Sequence, residues 1–249
     1  MRTSLRIISI LVLSILLLSC ETVALKPEER DKIRNIGVVS LIDEVEIYRA
    51  LSIKVAFSFS EKEFRTSQNP GWDINKLSED VVKNTIKTKT GISVINLNYN
   101  YKELQPIYNS NPFTSEINTK NHKPYLREIV KGKDIDAILV ISKCNCGDYL
   151  GGDDNDLLSG LGVYSKVWGK NDIQYATFAS LRITLLDSKT FEVIATNKTY
   201  DAINHRDSRF WSTDLKSINK EDQEIIIRLL ATHTHNVVLK SFRKWGMEK

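Results

Sequence analysis

The chain has 249 residues, 41% of them apolar and 27% charged. That composition excludes wholesale disorder and collagen-like repeats. Lys and Arg exceed Asp and Glu by 35 − 31 = +4, and with Arg2 and Arg6 set aside the remainder is 4 − 2 = +2, too balanced for a nucleic-acid binder. Three cysteines exclude a disulfide-rich scaffold.

Met1 to Cys20 reads MRTSLRIISILVLSILLLSC. Arg2 and Arg6 form a short basic region. The apolar run Ile7 to Leu18, broken by Ser9 and Ser14, is too short for a bilayer core of about 30 Å and has the size of a signal-peptide apolar region. The closing Leu17-Leu18-Ser19-Cys20 resembles the lipobox of bacterial lipoproteins. That resemblance implies a leader over 1–19, acylation of Cys20 with diacylglyceryl and palmitate-class chains, and a lipidated tether over 20–33. Glu21 follows, where an Asp in enteric lipoproteins favours inner-membrane retention. The resemblance therefore implies a bacterial envelope, outer membrane more than inner, with the body facing the periplasm.

The polar stretch Glu21 to Asp31 reads as the tether. The run Arg34 to Ile42 predicts a buried strand. From Val45 to Phe59, apolar residues fall mainly at odd positions, which predicts one long strand with a buried face, in a hairpin with the strand before it. Asn69-Pro70-Gly71 breaks the pattern. Asp73 is placed to cap a helix carrying Ile74, Leu77, Val81 and Ile86, with Gly91 as its stop. A strand over 92–97 follows, then an irregular Asn- and Tyr-rich stretch over 98–122. Pro124 opens a short helix with Leu126, Ile129 and Val130. Ala137 to Ile141 predicts a central strand, and 147–172 a long Gly-rich loop. Strands over 175–186 and 191–202 flank the turn Asp187-Ser188-Lys189-Thr190. A helix over 219–245 carries the stripe Ile226, Leu229, Leu230, His233, Val237, Lys240 and Phe242. One domain over 34–249 accommodates these elements: α/β, with a mixed β-sheet of about six strands packed against two or three helices.

Three features of 134–200 occur in one order: the strand DAILVI, the excursion GGDDNDLLSGLG, and the hairpin ASLRITLLDSKTFEVIATNKTY. The plan resembles TolB amino-terminal-like domains and the curli secretion channel protein, both of envelope lipoproteins. Their hairpin turn usually has Gly where this chain has Phe191, which leaves the turn type open. The front half, with IGVVSLI and GWDINKL, is similar to uncharacterised bacterial lipoproteins.

Residues that carry chemistry are scattered. Cys144 and Cys146 share a strand face and lack a second ligand pair, so a structural role as buried thiols or a local disulfide is expected, with no metal. Asp148, Asp153, Asp154 and Asp156 begin a calcium-like pattern but no closing Glu follows. His233 and His235 point about 200° apart on a helix. No Gly-x-Ser-x-Gly is present, and spacing alone nominates no acid–His pair. No cofactor is implied. The apolar residues of 147–172 need burial or a partner, and Leu158, Tyr164 and Trp168 are the expected contacts. Tyr99, Tyr101, Tyr108 and Phe113 form a second candidate surface. The expected function is non-enzymatic: an envelope accessory module that binds another protein or itself, and lipid through Cys20. A subunit of an oligomeric outer-membrane secretion channel and a periplasmic hydrolase or ligand-binding protein are the alternatives. A pocket lined by His and Asp from separate segments would favour the last.

Overall fold

The computed structural model describes residues 22–55, 58–104, 119, 122–146, 158–168, 172–205, 215 and 217–249. In chain order the elements are α1 (Pro27–Arg30), β1 (Asn35–Ser40), β2 (Val45–Val55), β3 (Ser58–Gln68), α2 (Ile74–Lys89), β4 (Ser93–Ile95), α3 (Tyr101–Leu104), α4 (Lys123–Val130), β5 (Ala137–Lys143), β6 (Gly160–Trp168), β7 (Asp172–Asp187), β8 (Val193–His205) and α5 (Lys220–Lys244). The fold is α/β, built among the described residues on one mixed sheet of eight strands where about six were expected.

The organising strand is β7. Its sixteen residues pair with β6 over the first half and β5 over the second, while β8 runs along its other edge. The sheet therefore forks. One arm continues through β6 to β2 and β3, and the other through β5 to β1 and β4. The expected β1–β2 hairpin does not form. β1 lies parallel between β4 and β5, and β2 pairs antiparallel with β3 and parallel with β6. The physical reason is that β1 is buried on both faces, as the inner strand of a parallel arm must be. The expected loop over 147–172 also contains β6, whose alternation is masked because Leu161, Gly162, Val163 and Tyr164 are all buried.

Helices α2 and α5 cover one face of the sheet. Asp73 and Asn219 cap them through acceptance from Lys76 N at 2.8 Å and Asp222 N at 2.9 Å. Their apolar sides close the main core with Ile36, Val38, Leu139, Leu181, Ile183 and Phe242. On the other face α4 packs Leu126 and Ile129 against Val39, Ile138, Val140, Leu186 and Phe191. The connection from β3 to β4 thus passes over one face through α2, and that from β4 to β5 over the other through α4.

The segment expected as a tether is docked. Leu25 and Ile33 are buried in the main core, and Thr196 N of β8 donates to Val23 O at 3.0 Å. Cys20 itself lies outside the described residues. No helix among the described residues is long and apolar enough to cross a membrane.

Candidate functional site

Beside the end of β1 lies a crevice of about 350 Å³, lined by Asp43, Asn69, Trp72, Asp73, Asn75 and Tyr101. A second hollow of about 350 Å³ adjoins it along α2, adding Lys76, Glu79, Asp80, Lys83, Leu97 and Tyr99. Local sequence builds each wall. Gly71 takes a φ of +85°, and its N–H closes a turn on Asn69 Oδ1 at 2.9 Å. That turn delivers Trp72 and the capping Asp73 to the start of α2. Asn75 turns its amide nitrogen onto β1, 2.6 Å from Ser40 O and 2.7 Å from Ser40 Oγ. The opposite wall is held by Tyr99, whose hydroxyl accepts from Ser40 N and donates to Glu79 Oε2, both at 2.9 Å. Asn100 N donates to Tyr125 Oη at 2.6 Å, tying this wall to α4.

Electrostatics set the character of the crevice. Burial, with the Glu79 carboxylate beside it, pushes the Tyr99 hydroxyl well above the usual phenol range, so it stays a donor. Glu79 pairs with Lys83, and Lys76 with Asp80 at 2.7 Å. Asp43 lies 3.6 Å from Lys143 Nζ, which also meets Glu46 at 2.9 Å. Burial alone would lower the Lys143 ammonium, but Glu46 and Asp43 raise it above the ordinary lysine value. Across both hollows, four carboxylates (Asp43, Asp73, Glu79, Asp80) stand against two lining ammonium groups (Lys76, Lys83). Trp72 Nε1 is buried without a hydrogen-bond partner. The crevice is therefore aromatic and acidic on balance.

A second polar constellation pins α5 to β7 and β8. Lys240 Nζ meets Asp201 Oδ1 at 2.8 Å, and Asp201 Oδ2 meets His233 Nδ1 at 2.8 Å. His233 Nε2 lies 2.8 Å from Thr177 Oγ1, which also bonds His205 Nε2 at 2.9 Å. Asn236 Nδ2 donates to Asp201 at 2.9 Å. Burial holds the His233 imidazole below its ordinary value against the pull of Asp201. Burial would raise the Asp201 carboxyl, but Lys240, Asn236 and His233 together hold it below the usual range. Thr177 and His233 have no exposed surface. This acid–His pair spans 32 residues, so no local spacing signals it.

The expected contact residues fall elsewhere. Leu158 and Tyr164 are 1% and 0% exposed and belong to a cluster with Tyr48, Ala176 and Phe178, where the Tyr48 and Tyr164 rings stack at 5.9 Å. They are core residues of the folded chain, because β6 is an inner strand between β2 and β7. The side chain of Trp168, and Asp148, Asp153, Asp154, Asp156, Tyr108 and Phe113, lie outside the described residues. Tyr99 and Tyr101 do come together, at the crevice. Cys144 and Cys146 form a disulfide with their Cα atoms 5.2 Å apart. Among the described residues no group of three or more His, Cys, Asp or Glu is placed to hold a metal ion.

No protein-family model matches the chain, and no curated protein matches it. Among solved structures it is similar to a Xanthomonas campestris protein of the DUF330 family, at 10% identity and a TM-score of 0.40, covering 89% of this chain and 90% of that one. It is similar to a hypothetical protein of Chlamydia trachomatis at 6% identity and a TM-score of 0.40, covering 84% and 94%. A PelC dodecamer subunit from Paraburkholderia phytofirmans is similar at 12% identity and a TM-score of 0.30, covering 85% and 91%.

Proposed function

We propose that this chain is a lipid-anchored protein of a bacterial cell envelope, held by an acylated Cys20, whose α/β body binds another protein without catalysing a reaction. The observation that carries the binding role is the crevice at the end of β1. Aromatic side chains and surplus carboxylate suit a partner segment bearing Lys or Arg. The crevice replaces the contact surface expected on Leu158 and Tyr164. An outer-membrane anchor with the body in the periplasm is the arrangement that the leader supports.

The test is in-cell photocrosslinking from position 101, with an Asp43→Lys variant and, as a control, Glu224→Lys on the exposed side of α5. Capture of a defined partner that Asp43→Lys abolishes and Glu224→Lys leaves intact supports the site. Capture indifferent to both charges refutes it. Loss of palmitate-analogue labelling in Cys20→Ser tests the anchor separately.

One observation favours a second reading, a hydrolase. Asp201, His233 and Thr177 align as acid, imidazole and hydroxyl, the order found in nucleophilic triads. The complete burial of Thr177 supports a structural network instead. Covalent labelling by a fluorophosphonate that disappears in Thr177→Ala would reverse that preference.

A further inference from the structure

Among the described residues, the exposed large hydrophobic side chains are Val23, Val193, Tyr200 and Ile203, at 37–43% of full exposure. All four lie on β8 or on the residue bridged to it. β8 is an end strand of the sheet. Among the described residues the only backbone pairing on its outer edge is the Val23–Thr196 bridge. Beside Tyr200 is an open hollow of about 550 Å³ that also takes in Cys146, Lys198, Ala202, Asp201 and Lys240. Lys240 Nζ rests on Tyr200 O at 2.9 Å, and Lys244 Nζ lies 3.2 Å from Asn197 Oδ1 on the same strand. The Asp201 carboxylate is engaged by Lys240, His233 and Asn236.

We infer that this edge lies on the bilayer and contacts anionic phospholipid. The inference rests on the anchor at Cys20 proposed above. Cys20 precedes Val23 by three residues, and three extended residues reach at most about 11 Å. An acyl chain in the membrane therefore holds the Val23–Thr196 bridge within about that distance of the headgroups. No slack remains for the body to turn another face to the lipid, because the chain from Val23 through Leu25 to Ile33 is docked. The surface brought down carries the exposed apolar side chains and a rim of Lys198, Lys240 and Lys244. Tyrosine suits the interface, with an apolar ring and a hydrated hydroxyl. Lysine heads near the surface are attracted to anionic lipid.

The test uses the full lipidated chain, extracted from membranes and reconstituted into vesicles of phosphatidylcholine and phosphatidylglycerol at about 3:1. The vesicles carry a phospholipid with a diazirine near the headgroup. Mass spectrometry of the photolabelled peptides is expected to place label on Val23 and on 193–205. Label on 93–101, at the opposite end of the sheet, should be at least fivefold lower. A Tyr200→Glu, Ile203→Glu double variant should lose most β8 label while still floating with the vesicles. Flotation with label spread evenly, concentrated near 93–101, or unchanged in the double variant overturns the edge and leaves the anchor standing. Failure of the chain to float, with no palmitate on Cys20, overturns both.

Discussion

Phe191 ends the tight turn between β7 and β8 with a φ of +58°, and it is the sole non-glycine residue of positive φ among the described residues. For an L-residue that conformation costs roughly 1–2 kcal/mol. Asp187 organises the turn by accepting from Lys189 N at 2.9 Å and Thr190 N at 2.7 Å, and Phe191 N returns to Asp187 O at 2.9 Å. The strain is offset by the ring, which is 1% exposed and packs with Leu186, Ile129 and Ile138. Truncating a buried Phe to Ala costs about 3–5 kcal/mol. Phe191→Ala loses the packing and keeps the strain, so it should fall in that range. Phe191→Gly loses the same packing but releases the strain, so it should be more stable than the Ala variant by about 1 kcal/mol. Equilibrium urea unfolding of the detergent-solubilised chain reads both values. An Ala variant equal to or more stable than the Gly variant would refute the claim that left-handed strain is held here by burial.

Three further outcomes follow from the core and the relay. A Cβ at Gly162 would lie 2.4 Å from Glu46 O and 2.5 Å from Phe178 Cζ, so Gly162→Ala should cost about 1–3 kcal/mol by overpacking, read as a lower urea midpoint. Leu158→Ala should cost about 2–5 kcal/mol, whereas a surface contact residue would move the same midpoint by less than about 0.5 kcal/mol. His233 has a folded-state value below its unfolded 6.5, so its neutral form is favoured by folding. Its contribution is complete above about pH 6.5 and is lost as pH falls from there through the folded value, at about 1.4 kcal/mol per unit of depression. Urea midpoints at pH 7.5 and 5.0 should diverge in the parent chain and draw closer in His233→Gln, while His205, which burial also holds below 6.5, keeps part of the gap. Asp201 does not confuse that comparison, because its folded value lies below 3.8 and its stability is lost only at lower pH.

Local rules read well where one element supplies its own signals. The cap Asp73, the stop near Gly91 and the stripe of α2 are all contiguous, and α2 begins and ends within a few residues of the prediction. The same holds for α4, opened by Pro124, and for α5, capped by Asn219. Pairing was less legible. A strand buried on both faces loses its period of two, and with it the evidence for which neighbour it takes. β1 therefore looked equally fit for a hairpin, and β6 disappeared into a glycine-rich stretch. Val45 to Phe59 reads as one strand because its alternation carries past Val55, where β2 ends, to Ser58, where β3 begins. The turn at Phe191 was ambiguous for another reason: its φ is fixed by a ring packing against α4, some sixty residues earlier in the chain.

The crevice and the relay were illegible because each is assembled across the chain. Ser40, Asn75, Glu79 and Tyr99 meet only once α2, arriving from β3, packs against β1 and the chain passes on through β4. Thr177, Asp201 and His233 meet only once β7, β8 and α5 are stacked. The two places differ in what they leave unspent. The polar atoms of the constellation around Asp201 bond one another, from exposed Lys240 inward to buried Thr177, so its free energy goes into fastening α5 to the sheet. The crevice is open, and it presents Trp72 and Tyr101 beside more carboxylates than lining ammonium groups. From β8 to β1 the sheet runs through β7 and β5, three strand spacings or about 14 Å, and β4 lies one spacing beyond. An anchor at the β8 edge therefore holds the crevice on the side of the body away from the bilayer, where a second protein can reach it.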